Sequence, residues 1–218
     1  MRAIDDGILL DHAAGNGPRA VQLLAECQTA MNPLARSVAH SAETAFGAML
    51  TQLPRSDVSP DMLARILGTP QLHDEEAITV KSSPSALPAA LQSALDRQTG
   101  GELRWNRRLG GVREIILDEF CEGETEASLV QLMPGGGIPD HDHGGDELTL
   151  ILSGAFHDGR ALYRAGELCS ASSGLRHRPR VAGDEACVCL VVSLAPWRPA
   201  NPLYGLADRL TRSRGKPS

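Results

Sequence analysis

The sequence predicts an α+β protein, with an N-terminal all-α module followed by a C-terminal all-β module. Apolar residues recur at helical spacing through the first seventy or so positions. From about residue 101 the period changes to two, in short runs punctuated by Gly, Asp and Pro. A Pro- and Ser-rich stretch separates the two patterns. These changes divide the chain into a helical domain at 1–75, a linker at 76–100, an all-β domain at 101–200 and a basic tail at 201–218.

Within the first domain, "IDDGILLDHAAG" sets Ile8, Leu9 and His12 at helical intervals and stops at Gly15 and Gly17. Pro18 suits the entry to a second helix, "PRAVQLLAECQTAM". Asn32-Pro33 repeats the start signal for a third, with Leu34, Val38, Ala45 and Leu50 as its expected core residues. Ser59-Pro60 announces a short fourth helix, "PDMLARIL", halted by Gly68 and Pro70. The linker holds one short helical pattern, worth a turn or two. In the second domain "VREIILDEF", "ASLVQLM", "ELTLILSG", "ALYRAGEL" and "ACVCLVVSL" read as strands of a sandwich or barrel. "DEFCEGETE" between two of them reads as an acidic, solvated turn.

Composition narrows the function classes. Apolar residues at 42% and charged residues at 22% describe an ordinary globular chain. A net charge of −6 argues against broad nucleic-acid binding, so no direct DNA binding is expected. No run approaches the roughly 18 consecutive apolar residues of a membrane span, and the N-terminus lacks a signal-peptide layout, so a cytoplasmic location is expected. The odd count of five cysteines forms no disulfide framework. Cys187 and Cys189 would share one face of a strand and read as small core residues, with a redox role as the alternative.

The densest chemistry lies in "GIPDHDHGGDELTLILSG", residues 137–154. Residues two apart on a strand face the same way, so His141 and His143 aim together, and Glu147 follows a Gly144-Gly145 turn. His177, beyond "AGELCSASSGLR", is the best fourth ligand. Three imidazoles and a carboxylate suit Zn2+, Fe, Ni or Mn, and ligand type alone does not choose among them.

This spacing resembles the cupin superfamily. Gly135, His141, His143, Glu147 and Gly154 fill the first cupin motif. Gly166, Gly174 and His177 fit the second, where Ser172 and Val181 stand in place of the usual proline and asparagine. The resemblance implies a double-stranded β-helix, a jelly-roll barrel, holding one divalent metal on His141, His143, Glu147 and His177.

Helices ahead of a C-terminal cupin resemble the ChrR-type anti-sigma factors. The likeness is diffuse through "LLDHAAG" and closer through "RWNRRLGGVREIIL", "LMPGGGIPDHDHGGDELTLILSGAF" and "ACVCLVVSLAPWR". It implies that the N-terminal helices bind and inhibit an extracytoplasmic-function sigma factor. It also implies that the zinc-bound cupin takes part in releasing that factor under oxidative stimuli. One departure stands out: Glu26, Ala30 and Pro33 occupy the positions of the His-x3-Cys-x2-Cys zinc ligands of the family's helical module. No zinc is therefore expected in residues 1–75, where Cys27 alone cannot complete a four-ligand site. A homodimer stays open, and a dioxygenase-like cupin metalloenzyme is the alternative function.

Overall fold

A computed structural model describes residues 4–68, 87–108 and 110–199. The tail expected at 201–218 lies outside the described residues, as does the linker up to residue 86. The first helix, α1 (Asp6–Ala13), starts where the Asp5 side chain accepts hydrogen bonds from the backbone N–H groups of Gly7 and Ile8 at 3.0 and 3.2 Å. Pro18 leads into α2 (Arg19–Met31). Asn32 has an extended backbone that breaks α2, and its side-chain oxygen accepts from Leu34 and Ala35 to cap α3 (Pro33–Leu50). The amide nitrogen of Asn32 also donates to the Gly166 carbonyl at 3.0 Å. One residue thus ends a helix, begins the next and ties both to the β module.

The expected core of α3 is not the observed one. Ala35, Ala39 and Ala42 are its buried residues, while Leu34 and Leu50 are more than half exposed, Ala45 is exposed and Val38 only half-buried. The cause is steric: α3 packs against both α1 and α2, and methyl side chains let the axes approach where leucines would hold them apart. The large side chains are left facing outward. Helix α4 (Met62–Gly68) goes further and buries none of its residues. Helix α5 (Ala89–Thr99) occupies the end of the linker segment and forms three turns rather than one or two. Leu91, Ala94 and Leu95, spaced along one face, are buried.

The β module is antiparallel throughout. Strands β1 (Asn106–Arg108), β2 (Val112–Ile116), β3 (Glu126–Leu132), β5 (Glu147–Ser153), β8 (Leu168–Ala171) and β10 (Cys187–Ser193) form a six-stranded sheet ordered β1-β2-β3-β10-β5-β8. Facing it are a three-stranded sheet, β7 (Leu162–Arg164), β6 (Ala155–His157) and β9 (Arg180–Val181), and a pair formed by β11 (Trp197–Pro199) and β4 (His141–His143). The five runs read as strands from the sequence fall on β2, β3, β5, β7 with β8, and β10. Gly154, where β5 turns into β6, has φ +72°, and a Cβ there would lie 2.5 Å from the Ala186 carbonyl oxygen. Only glycine meets both conditions.

The large sheet is buried on both faces. Leu148, Leu150 and Leu152 of β5 and Leu190 and Val192 of β10 pack against Val21, Leu24 and Cys27 of α2 and Leu91 and Leu95 of α5. The opposite face, with Val130, Ile151 and Cys189, packs on Phe156 and Tyr163 of the three-stranded sheet. Helices and barrel therefore share one core, and the helical module borrows the outer face of the sheet as its floor. The acidic turn adds a polar clamp to that junction. Glu119, in a 3-10 turn at Asp118–Phe120, pairs with Arg97 of α5 at 2.9 Å and Arg19 of α2 at 2.7 Å. The hydrogen bond from Arg97, reinforced by Arg19, holds the Glu119 carboxyl below the ordinary glutamate range.

Candidate metal centre

Strand β4 is three residues long and buries both of its histidines, each 1% exposed. His141 also exchanges main-chain hydrogen bonds with His177, N–H to C=O at 3.2 Å and back at 3.1 Å, which sets the His177 ring (4% exposed) beside the pair. Glu147, 7% exposed, opens β5 and points inward, the neighbouring Leu148 pointing outward to the helices. The four sequence-predicted residues thus reach one point from three segments. One ligand atom from each of His141, His143, Glu147 and His177 lies within 4.8 Å of the others. Among the described residues this is the group of such side chains that converges.

The spacings have a recognisable size. His143 Nε2 stands 3.3 Å from His177 Nε2 and 3.1 Å from Glu147 Oε2, and His177 Nε2 is 3.5 Å from Glu147 Oε1. Two donor atoms each about 2.1 Å from a tetrahedral cation are about 3.4 Å apart. The separations among His143, His177 and Glu147 are of that size, and the full set of four spreads to 4.8 Å. His141 Nδ1 donates to the Pro139 carbonyl oxygen at 2.7 Å, which leaves the lone pair on Nε2.

Electrostatics agree with this donor set. Burial pushes His143 down to about 4, helped by the neighbouring His141, and burial with both other imidazoles pushes His177 down to about 3. His141 is lowered as well, chiefly by burial. All three rings are neutral at neutral pH and offer lone pairs. Burial raises Glu147 to about 7 against hydrogen bonds from Ser193 and Thr149. Two imidazole nitrogens, His143 Nδ1 and His177 Nδ1, are buried with no hydrogen-bond partner among the described residues. A buried carboxylate ringed by neutral nitrogen donors lacks one thing, a positive charge, and a divalent cation supplies it. The residues fit such an ion, and their chemistry does not choose among zinc, iron, nickel and manganese.

Thiols surround the site without joining it. Cys187 and Cys189 have their Sγ atoms 3.6 Å apart in the barrel interior, and that contact together with burial raises the Cys189 thiol well above its usual range. Cys169 is pushed up to about 12 by burial and then by the charge of Asp158. Asp158 was not singled out in the sequence, though "HDGR" carries a turn signal. It is fully buried and accepts from the Arg160 and Ala161 backbone N–H groups at 2.7 and 2.8 Å, and from Arg160 Nε at 2.8 Å. Burial alone would raise its carboxyl; these donors outweigh that and hold it below the ordinary range. In the helical module, Glu26 is exposed on α2, and Cys27 packs into the shared core with its thiol pushed up to about 12, mainly by burial.

Comparison with known proteins adds three findings. Residues 97–196 match the family described as the ChrR Cupin-like domain. The chain is 29% identical over 195 residues to the Anti-sigma-E factor ChrR of Cereibacter sphaeroides, covering 89% of this chain and 90% of that protein. Among solved structures, it resembles a chain from the crystal structure of Rhodobacter sphaeroides SigE in complex with the anti-sigma ChrR, with 28% identity and a TM-score of 0.73, over 88% of this chain and 98% of that one.

Proposed function

We propose, from the premise that residues 97–196 belong to the ChrR cupin-like family, that the chain is an anti-sigma factor. It binds and inhibits an extracytoplasmic-function sigma factor in the cytoplasm through its N-terminal helices. Its cupin, holding one divalent ion on His141, His143, Glu147 and His177, is the sensor whose disturbance by oxidative or related stress releases the partner. Zinc is the ion we favour.

The observation that supports sigma binding most is the outward face of α3 and α4. Met49, Leu50, Leu53, Leu63, Ile66 and Leu67 are all more than half exposed, and α4 has no buried residue to hold it in place. A seven-residue helix is marginal alone, and large apolar side chains left exposed at the end of α3 and along α4 suit an interaction surface. Fully burying six such side chains would yield at most about 9–18 kcal/mol gross, comparable to the association cost of roughly 4–15 kcal/mol. Such a face suits a helical protein partner rather than a small substrate. Ligands that are only 1% to 7% exposed also favour a sensing or structural ion over a catalytic one open to substrate.

Co-expression of the full chain with each extracytoplasmic-function sigma factor of its source organism tests this directly. A stable 1:1 complex that blocks transcription by the holoenzyme is expected. No complex at micromolar concentration, or the chain pairing only with itself as a homodimer, sinks the proposal.

A further inference from the structure

The segment after β10 supplies none of the four cluster residues, yet it lies against the strand that carries His141 and His143 and the turn that leads to Glu147. Residues 194–196 cover the turn between the two ligand-bearing strands. The Leu194 N–H donates to the Asp146 carbonyl at 2.9 Å, and the Gly144 N–H donates to the Pro196 carbonyl at 3.3 Å. A Cβ on Gly145 would stand 3.0 Å from Ala195 Cβ and 3.3 Å from Ala195 N, so the two backbones touch. Beyond them β11 pairs antiparallel with β4, Trp197 opposite His143, Arg198 opposite Asp142 and Pro199 opposite His141.

Strand geometry says which of these pairs carries hydrogen bonds. Successive residues turn their N–H and C=O groups to opposite edges of a strand. His141 spends both groups on His177, and the His143 carbonyl accepts from the Gly174 N–H at 3.0 Å. Both histidines therefore face that edge, and Asp142 faces the other, where Arg198 stands. Pro199 falls opposite His141 in a pair without hydrogen bonds, so its missing N–H is no loss. Arg198 is the strand's one residue placed to exchange bonds with the ligand strand.

We propose that Leu194–Pro199 is a strap that positions His141 and His143, with the main-chain N–H of Arg198 as its fastening point, so that metal affinity depends on a strand carrying no ligand. This rests on the metal reading above. Linkage makes the effect reciprocal: the ion steadies the strap as the strap steadies the ion, and loss of the ion loosens the end of the barrel.

The test is titration of the metal-free full chain with Co2+, followed by its visible absorption, together with melting of free and loaded forms. Arg198→Pro removes the donor while keeping an extended backbone, and Gly145→Ala pushes on Ala195 without touching a ligand. Both are expected to weaken Co2+ binding by roughly 10–100-fold, the range for outer-shell partners of a metal, and to shrink the rise in Tm that the ion brings. Pro199→Ala is expected to behave as the native chain. Native affinity in Arg198→Pro and Gly145→Ala overturns the proposal, as does an equal fall in Tm with and without the ion, which would mean a merely structural strand. If the native chain itself binds no Co2+, the metal reading falls and takes the strap's role with it, a result distinct from native binding with unaltered variants.

Discussion

Leu24→Ala probes the claim that helices and barrel are one folding unit. Leu24 is fully buried in α2, inside the cluster that includes Leu91 and Leu95 of α5 and Leu150 and Leu190 of the large sheet. Truncating it removes three carbons' worth of apolar burial and leaves a cavity bounded by both modules, at a cost of about 2–5 kcal/mol. For a chain of 218 residues this lowers Tm by roughly 4–20 °C, at about 2–4 °C per kcal/mol. Far-UV circular dichroism at the helical minimum and fluorescence of Trp105, which packs against the same cluster, report on the two sides. One transition, displaced equally for both probes, is expected. Two separate transitions, with the barrel melting where it does in the native chain, would refute the shared core. By the same reasoning residues 1–75 alone, stripped of the sheet they rest on, should not hold their fold.

Other outcomes follow from the site and its surroundings. Glu147→Gln removes the only anionic donor of the metal cluster; metal analysis after dialysis should show affinity reduced by roughly a hundredfold or more, at or beyond the limit for outer-shell changes. The Asp158 carboxyl, held below its ordinary value in the fold, stabilises the chain fully above the unfolded carboxylate pKa of about 3.9 and loses that contribution as pH falls through the lower folded value. Asp158→Asn should therefore flatten the loss of stability on the acid side of pH 4. At pH 7 it should cost about 1–3 kcal/mol in urea denaturation, because Arg160 and two backbone donors lose a charged acceptor.

The legible parts of the sequence were those written in local signals. Period-two runs located the long strands, and Asn32-Pro33 marked the break between α2 and α3 because one residue supplies cap and turn together. The convergence of four side chains was legible because His141 and His143 share a face by strand geometry alone, and motif spacing pointed to Glu147 and His177; the fold then brings all four together. What sequence hid depends on distant partners. Leu34 and Leu50 look like core in hydropathy, and only the close approach of α1 and α2 to Ala35 and Ala39 shows that small residues make the contact. Leu91 and Leu95 carry a helical spacing that Pro84, Pro88 and the serines around them obscured. Glu119 reads as solvated until Arg19, a hundred residues away, folds onto it. In β11, Pro199 argues against a strand in sequence and is tolerated because it faces His141 in a pair without hydrogen bonds.

Titration calorimetry of the partner sigma factor into the full chain, native against Leu63→Asp/Leu67→Asp, tests the account most directly. Both leucines are exposed on α4, a helix that buries none of its residues, so metal content and Tm should not change. Loss of two buried leucines at about 1.5–3 kcal/mol each predicts affinity weaker by roughly a hundredfold or more. Equal affinity in native and variant chains would contradict the assignment of α3 and α4 as the sigma-binding face.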